Sequence, residues 1–208
     1  MDFVKDMKLD NVKKYSNPFV ITITGYDGKN KLKLARDLSK KLKIFLLSND
    51  CVRNYYLTKK LDYKTVQDKV KNINDKRINI LKNNKLSFVY DMNFNNKDCF
   101  KKVIDYNVIK IRLYTDDSEN IKSIMLRKYE PNKVIDGVLG DNTKYESSYD
   151  ENTYYEIKKR KKIELDDSYF DYIIKKEDSL DEKINNIAED IEKRFSWFWK
   201  PFNNTRNY

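Results

Sequence analysis

Gly25, Gly28 and Lys31 are the residues whose types and spacing point most directly to chemistry. The chain of 208 residues holds only four glycines, and two of them stand three apart between an unbroken apolar and β-branched run, Phe19 to Thr24, and a segment with helical spacing. Glycines placed there let the backbone approach something closely, because no Cβ stands in the way. A phosphate is the natural candidate. A helix N-terminus presents unpaired N–H groups and a partial positive charge, and a lysine at the helix start adds a point charge for the phosphate oxygens.

Gly25 to Leu32, GYDGKNKL, can be written against the phosphate-loop pattern GxxxxGK[ST]. Gly25 and Lys31 match, and Gly28 suits the variant GxxGxGK[ST]. Asn30 stands in place of a glycine, but Asn tolerates positive φ better than other side chains, so the loop can close. Leu32 replaces the hydroxyl that touches Mg2+, so the metal would be held less firmly. Gly25, Gly28, Lys29, Asn30 and Lys31 are therefore the candidate nucleotide-binding residues. The plainer reading is that the glycines only make a turn.

Two acidic residues follow apolar runs. Asp50 comes after Ile44 to Leu47, and Asp91 directly after Leu86 to Tyr90. If a helical turn begins at Asp50, Arg53 shares its side three residues on. A carboxylate there could accept a proton from a hydroxyl while the guanidinium holds an anionic acceptor; a helix cap with a local ion pair is the plainer reading. Asp91 could hold the water shell of Mg2+ or serve as a turn residue.

The elements that must position these residues follow from periodicity. Phe19 to Thr24 suits a parallel strand covered on both faces, and Leu34, Ala35, Leu38 and Leu42 mark the helix after it. Ile44 to Leu47 is a second strand. The spacing predicts a helix from about Asp62 to Asn83, with Val66, Val70, Ile73, Ile80 and Leu81 on its apolar face. Further strands are expected over Leu86 to Tyr90, Val108 to Tyr114 and Tyr169 to Ile174, and further helices over Lys97 to Tyr106 and Asp117 to Lys128. Ser179 and Glu182 form a capping-box pattern before a closing helix marked by Leu180, Ile184, Ile187, Ile191 and Phe195. Before the first strand, Phe3, Val4, Met7, Leu9 and Val12 suggest a short covering helix. Five strands alternating with helices predict an α/β fold with a mainly parallel sheet, whose ligands sit at the carboxyl ends of the strands.

From Tyr129 to about Asp166 the chain turns polar and ends near a basic run, Lys158 to Lys162, which reads as a lid. Tyr145, Tyr149, Tyr154 and Tyr155 in that stretch leave nucleic acid as a partner to test. The C-terminal tail clusters Trp197, Phe198, Trp199 and Phe202, which mark either a protein interface or a cover for the core.

The net charge of +10 favours anionic partners. Two cysteines do not make a disulfide framework, and the absence of histidine excludes histidine catalysis and a Cys/His zinc site. No apolar run reaches the ~18 residues of a membrane span, and the N-terminus is too charged for a secretory signal. A reducing cytoplasm is the expected location.

With these segments in order, the chain resembles the P-loop kinases of the AAA-type predicted-kinase group, which includes zeta-toxin-like, polynucleotide-kinase-like and gluconate-kinase-like proteins. KLKLARDLSKKL, Lys31 to Leu42, is similar to the helix after the Walker lysine. FLLSNDCVRNYY, Phe45 to Tyr56, resembles the family's second strand followed by DxxR. VYDMNF, Val89 to Phe94, resembles its Walker-B-like strand end with D-x-N, at Asp91 and Asn93.

The resemblance implies a P-loop NTPase-like three-layer sandwich with a mainly parallel five-stranded sheet and a helical lid insertion. It divides the chain into an N-terminal extension (1–17), a kinase-like domain (18–195, lid about 129–166) and the aromatic tail (196–208). It implies ATP and Mg2+, and transfer of the γ-phosphoryl group to a hydroxyl of a small molecule or a nucleic-acid end. Asp50 would act as base, Arg53 would bind the acceptor, Asp91 would serve the metal, and Arg127, with Arg160 as a second candidate, would reach the transferred group. The departures at Asn30 and Leu32, and the lack of a basic residue at Asp98 or Cys99, leave an alternative: an inactive kinase-fold protein acting as a nucleotide-binding or protein-interaction subunit.

Overall fold

The computed structural model describes residues 2–25, 29–57, 59, 61–91, 101–114 and 166–195. The apolar run Phe19–Thr24 forms strand β1. Phe19, Ile21 and Ile23 enter one core cluster and Val20 the other, and all four have no exposed surface. A strand covered on both faces has no polar side to show, which is why its sequence does not alternate.

Helix α1 (Lys29–Leu42) follows, then β2 (Phe45–Ser48), α2 (Asn49–Leu57), α3 (Tyr63–Asn83), β3 (Phe88–Asp91) and β4 (Asn107–Leu113). After a short 3-10 turn (Asp167–Tyr169) come β5 (Tyr172–Ile174) and helix α4 (Leu180–Phe195). The five strands form one parallel sheet in the order β2-β3-β1-β4-β5. α1 and α4 cover one face through Leu34, Ala35, Leu38 and Leu42 and through Ile184, Ile187, Ala188 and Ile191. On the other face Ile78 and Leu81 of α3 pack with Val20, Phe45, Leu47, Phe88 and Tyr90. The architecture is the three-layer α/β sandwich with a five-stranded parallel sheet that the sequence predicts.

Three expectations are corrected. The N-terminal stretch is not a helix. It makes two separate turns, one closed by the Asp6 N–H donating to the Asp2 carbonyl at 2.9 Å and one by the Val12 N–H donating to the Leu9 carbonyl at 3.1 Å, and is otherwise without regular structure. Phe3, Val12 and Tyr15 are buried in three different clusters, so the segment must reach across the molecule, and a short helix cannot do so. The expected strand Tyr169 to Ile174 is strand only over its second half. Tyr169 closes a 3-10 turn that Asp166 caps by accepting from the Ser168 N–H at 2.8 Å, and at Asp171 the carboxylate accepts from the Lys110 N–H at 2.7 Å, an acidic side chain competing with the ladder for a backbone donor. Of the helix expected over Lys97 to Tyr106, residues 97–100 lie outside the described residues, and 102–105 form turns that bury Val103 and set Tyr106 edge-on to Phe88, 5.6 Å between ring centroids. The expected helix at 117–128, the lid and the aromatic tail lie outside the described residues.

Helices α1 and α3 end in the same way. Lys43 and Lys85 adopt left-handed φ values of 53° and 51°. The next residues, Ile44 and Leu86, donate back to Ser39 and Leu81 at 3.0 Å each. This closure commonly uses glycine, and a glycine-poor chain makes it with lysine.

Candidate functional site

Because every strand runs the same way, the polar residues that follow the strands collect at one edge of the sheet. The register makes this explicit. Ser48 of β2 pairs with Asp91 of β3, and Thr24 of β1 pairs with Arg112 of β4. Gly25 therefore continues the central strand between β3 and β4. An added Cβ would sit 2.7 Å from the Leu113 carbonyl oxygen and 3.3 Å from the Leu113 Cβ. The close approach that a glycine permits here is to the neighbouring strand, a requirement that holds whether or not a phosphate binds.

The first turn of α1 carries no acidic residue, so nothing on the helix opposes the positive end of its dipole. Lys29 opens the helix, Asn30 is exposed, and Lys31 is only 4% exposed. Burial of that lysine is unusual, since a lysine in a first turn can easily reach water. Leu32 is half-buried and brings no oxygen. Gly28 lies outside the described residues.

Asn49 is the first residue of α2, directly after β2, so Asp50 is the second and Arg53 stands one turn on, half-buried. Asp91 is the last residue of β3. The backbone thus brings the start of α1, the start of α2 and the end of β3 to one edge. Among the described residues no group of three or more acidic, cysteine or histidine side chains could hold a metal ion. Arg127 and Arg160 lie outside the described residues.

Two groups of polar residues, one at this edge and one that reaches it from α3, carry no motif in the sequence. Arg112 donates to Asp167 at 2.8 Å and lies over the rings of Tyr114 and Phe170, 4.5 and 5.4 Å from their centroids. The Tyr114 hydroxyl also donates to Asp167, at 2.7 Å, and that carboxylate holds the phenol above its ordinary range. The signal was present in the alternation of β4, where Lys110 and Arg112 stand between buried Ile109, Ile111 and Leu113. The second group is Asn74 and Arg77 on α3, each only 1% exposed.

This edge and the strand order define a three-layer α/β fold with a parallel five-stranded sheet. No protein-family model and no curated protein matches the chain. Among solved structures, a "putative kinase" from Chloroflexus aurantiacus is similar over 86% of this chain and 98% of its own, at 14% identity and a TM-score of 0.59. Shikimate kinase from Aquifex aeolicus aligns over 84% of this chain and 97% of its own, at 12% identity and a TM-score of 0.42. At such identities the first likeness speaks to the fold, and the second adds nothing to it. Among the described residues no helix is long and apolar enough to cross a membrane.

Proposed function

We propose that the protein is an ATP-dependent phosphotransferase, similar to the polynucleotide-kinase-like and gluconate-kinase-like P-loop kinases, that moves the γ-phosphoryl group to a hydroxyl. The observation that carries this reading is the convergence of the start of α1, the start of α2 and the end of β3 at the carboxyl edge of a parallel sheet ordered β2-β3-β1-β4-β5. The α1 amides, Gly25, Gly28, Lys29, Asn30 and Lys31 hold the donor phosphates. Asp50 accepts the proton of the acceptor hydroxyl as its oxygen bonds to phosphorus and ADP leaves, and Arg53 binds the acceptor.

The fit for nucleotide rests on a buried lysine and an acid-free helix start. Asp91 would hold Mg2+, which neutralises phosphate charge when bound, and Leu32 weakens that site by offering no hydroxyl. Residues 129–166 act as the lid, with Arg127 and Arg160 directed at the transferring group. The domain runs over 18–195, and the aromatic tail serves a protein partner.

The test is thermal melting with ATP, with and without Mg2+, on the wild type and Lys31→Ala, followed by transfer assays on a sugar, a nucleoside, a peptide and a 5′-hydroxyl oligonucleotide. Saturation at 100 times the dissociation constant should stabilise the fold by ~2.7 kcal/mol. The expected outcome is a shift lost in Lys31→Ala and a transfer rate abolished in Asp50→Asn. A shift without Mg2+ dependence or transfer identifies a nucleotide-binding subunit instead, and no shift removes the nucleotide site.

A further inference from the structure

Six residues of α3 form a continuous buried stripe: Val66, Val70, Asn74, Arg77, Ile78 and Leu81, none more than 5% exposed. Four are what a helix seated on a sheet requires. Asn74 and Arg77 are not, and each is only 1% exposed. A guanidinium removed from water loses its hydration, and an aliphatic of similar size would serve packing as well or better.

The contacts of these two residues share a direction. The Asn74 amide nitrogen donates to the Asn49 side-chain oxygen at 2.6 Å, and its own oxygen accepts from Arg77 Nη1 at 3.3 Å. The Arg77 guanidinium lies 5.4 Å from the centre of the Phe45 ring. Phe45 is the first residue of β2 and Asn49 the first of α2, so the relay Arg77–Asn74–Asn49 spans the strand and ends on the corner where it becomes helix. Asp50 is the next residue. Along the rest of α2, Val52 packs with Val66, Val70 and Phe3. Apolar contact holds the helix down without fixing its angle, whereas hydrogen bonds are directional and set it.

We propose that Arg77 and Asn74 are positioning residues that lock the β2–α2 corner in one conformation and thereby present Asp50 at the sheet edge. For its catalytic consequence this inference rests on the phosphotransfer reading; for its mechanical part it does not.

The test uses the full chain and the variants Arg77→Met, Asn74→Ala and Asn49→Ala. Hydrogen exchange is followed in peptides covering 49–57, with 184–195 as control, alongside the ATP-induced melting shift and transfer to whichever acceptor the panel yields. Arg77→Met removes one partner of a buried hydrogen-bonded pair and should lower the melting temperature. Protection should fall in 49–57 and not in 184–195, and the ATP shift should persist. Turnover should fall about a hundredfold, as for a base displaced by about an ångström, with the KM for ATP unchanged. Asn74→Ala and Asn49→Ala should reproduce the local loss of protection, and they decide the matter if Arg77→Met does not fold. Unchanged exchange in 49–57 would overturn the proposal, as would an equal rise in both peptides, which would make the pair part of the general core. If the wild type shows no ATP shift, the phosphotransfer reading fails separately, and the exchange measurement still decides whether the relay holds the corner.

Discussion

Replacing Gly25 with alanine separates two reasons for having a glycine there. Its φ lies outside the left-handed region, so an L side chain meets no conformational penalty at this position. If the residue only made a turn, Gly25→Ala would restrict the unfolded chain and stabilise the protein by ~0.4–1 kcal/mol. The surroundings predict the opposite sign. The new Cβ would stand 2.7 Å from the Leu113 carbonyl oxygen, whereas ordinary contact begins at 3.4 Å, so one strand must give by about 0.7 Å.

Neither strand can give cheaply. Leu113 ends β4 between β1 and β5, and the following N–H, of Tyr114, donates to the Ile174 carbonyl at 2.8 Å, so the clash displaces the β4–β5 ladder as well. Overpacking of this kind costs ~1–3 kcal/mol. At ~2–4 °C per kcal/mol for a chain of this size, the melting temperature should fall by ~2–12 °C. Thermal unfolding followed by circular dichroism measures it. A Gly25→Ala variant that melts at or above the wild-type temperature would refute the close-approach argument and return the glycine to a simple turn role.

Two further perturbations follow from the same kind of reasoning. Lys43→Gly and Lys85→Gly relieve the left-handed strain at the ends of α1 and α3. Each should raise stability by ~0.5–1 kcal/mol net of the added freedom of the unfolded chain, and the two should add; urea midpoints that stay level or fall would show the strain to be absent. Tyr15 is held above its ordinary pKa by burial and by the Glu192 carboxylate, and burial pushes Tyr106 and Tyr172 up to about 12 each. A phenol whose folded pKa exceeds the unfolded value of about 10 contributes stability below that pH, and the contribution is lost as pH rises toward 12. Tyr15→Phe should therefore lose ~1 kcal/mol at neutral pH, from the hydrogen bonding of its hydroxyl with the Leu42 carbonyl and Glu192, and show a shallower decline in melting temperature above about pH 10. An unchanged alkaline slope would remove Tyr15 from the explanation.

What was legible in the sequence was whatever depends on a chain's own period. β1 could be read to the residue because burial on both faces leaves an unbroken apolar run, and α1 and α4 because their stripes face one core. Partial misreadings arose where a contact distant in sequence decides the structure. The N-terminal segment looks amphipathic, yet its apolar residues serve three clusters and the chain stretches to reach them. In the candidate site, the glycines and lysine were legible as local spacing, whereas the need for Gly25 comes from a strand 88 residues further on, at Leu113.

α3 shows most clearly why reading apolar residues alone misplaces a face. The apolar pattern Val66, Val70, Ile73, Ile80 and Leu81 takes in the half-buried Ile73 and Ile80 and passes over Asn74, Arg77 and Ile78, each only 1% exposed. An aliphatic search skips Asn74 and Arg77 because of their type. Asn74 and Arg77 thus sit in a face otherwise made of Val66, Val70, Ile78 and Leu81, and their hydrogen bonds lead to a backbone corner of the sheet. Here that corner is the one that carries Asp50.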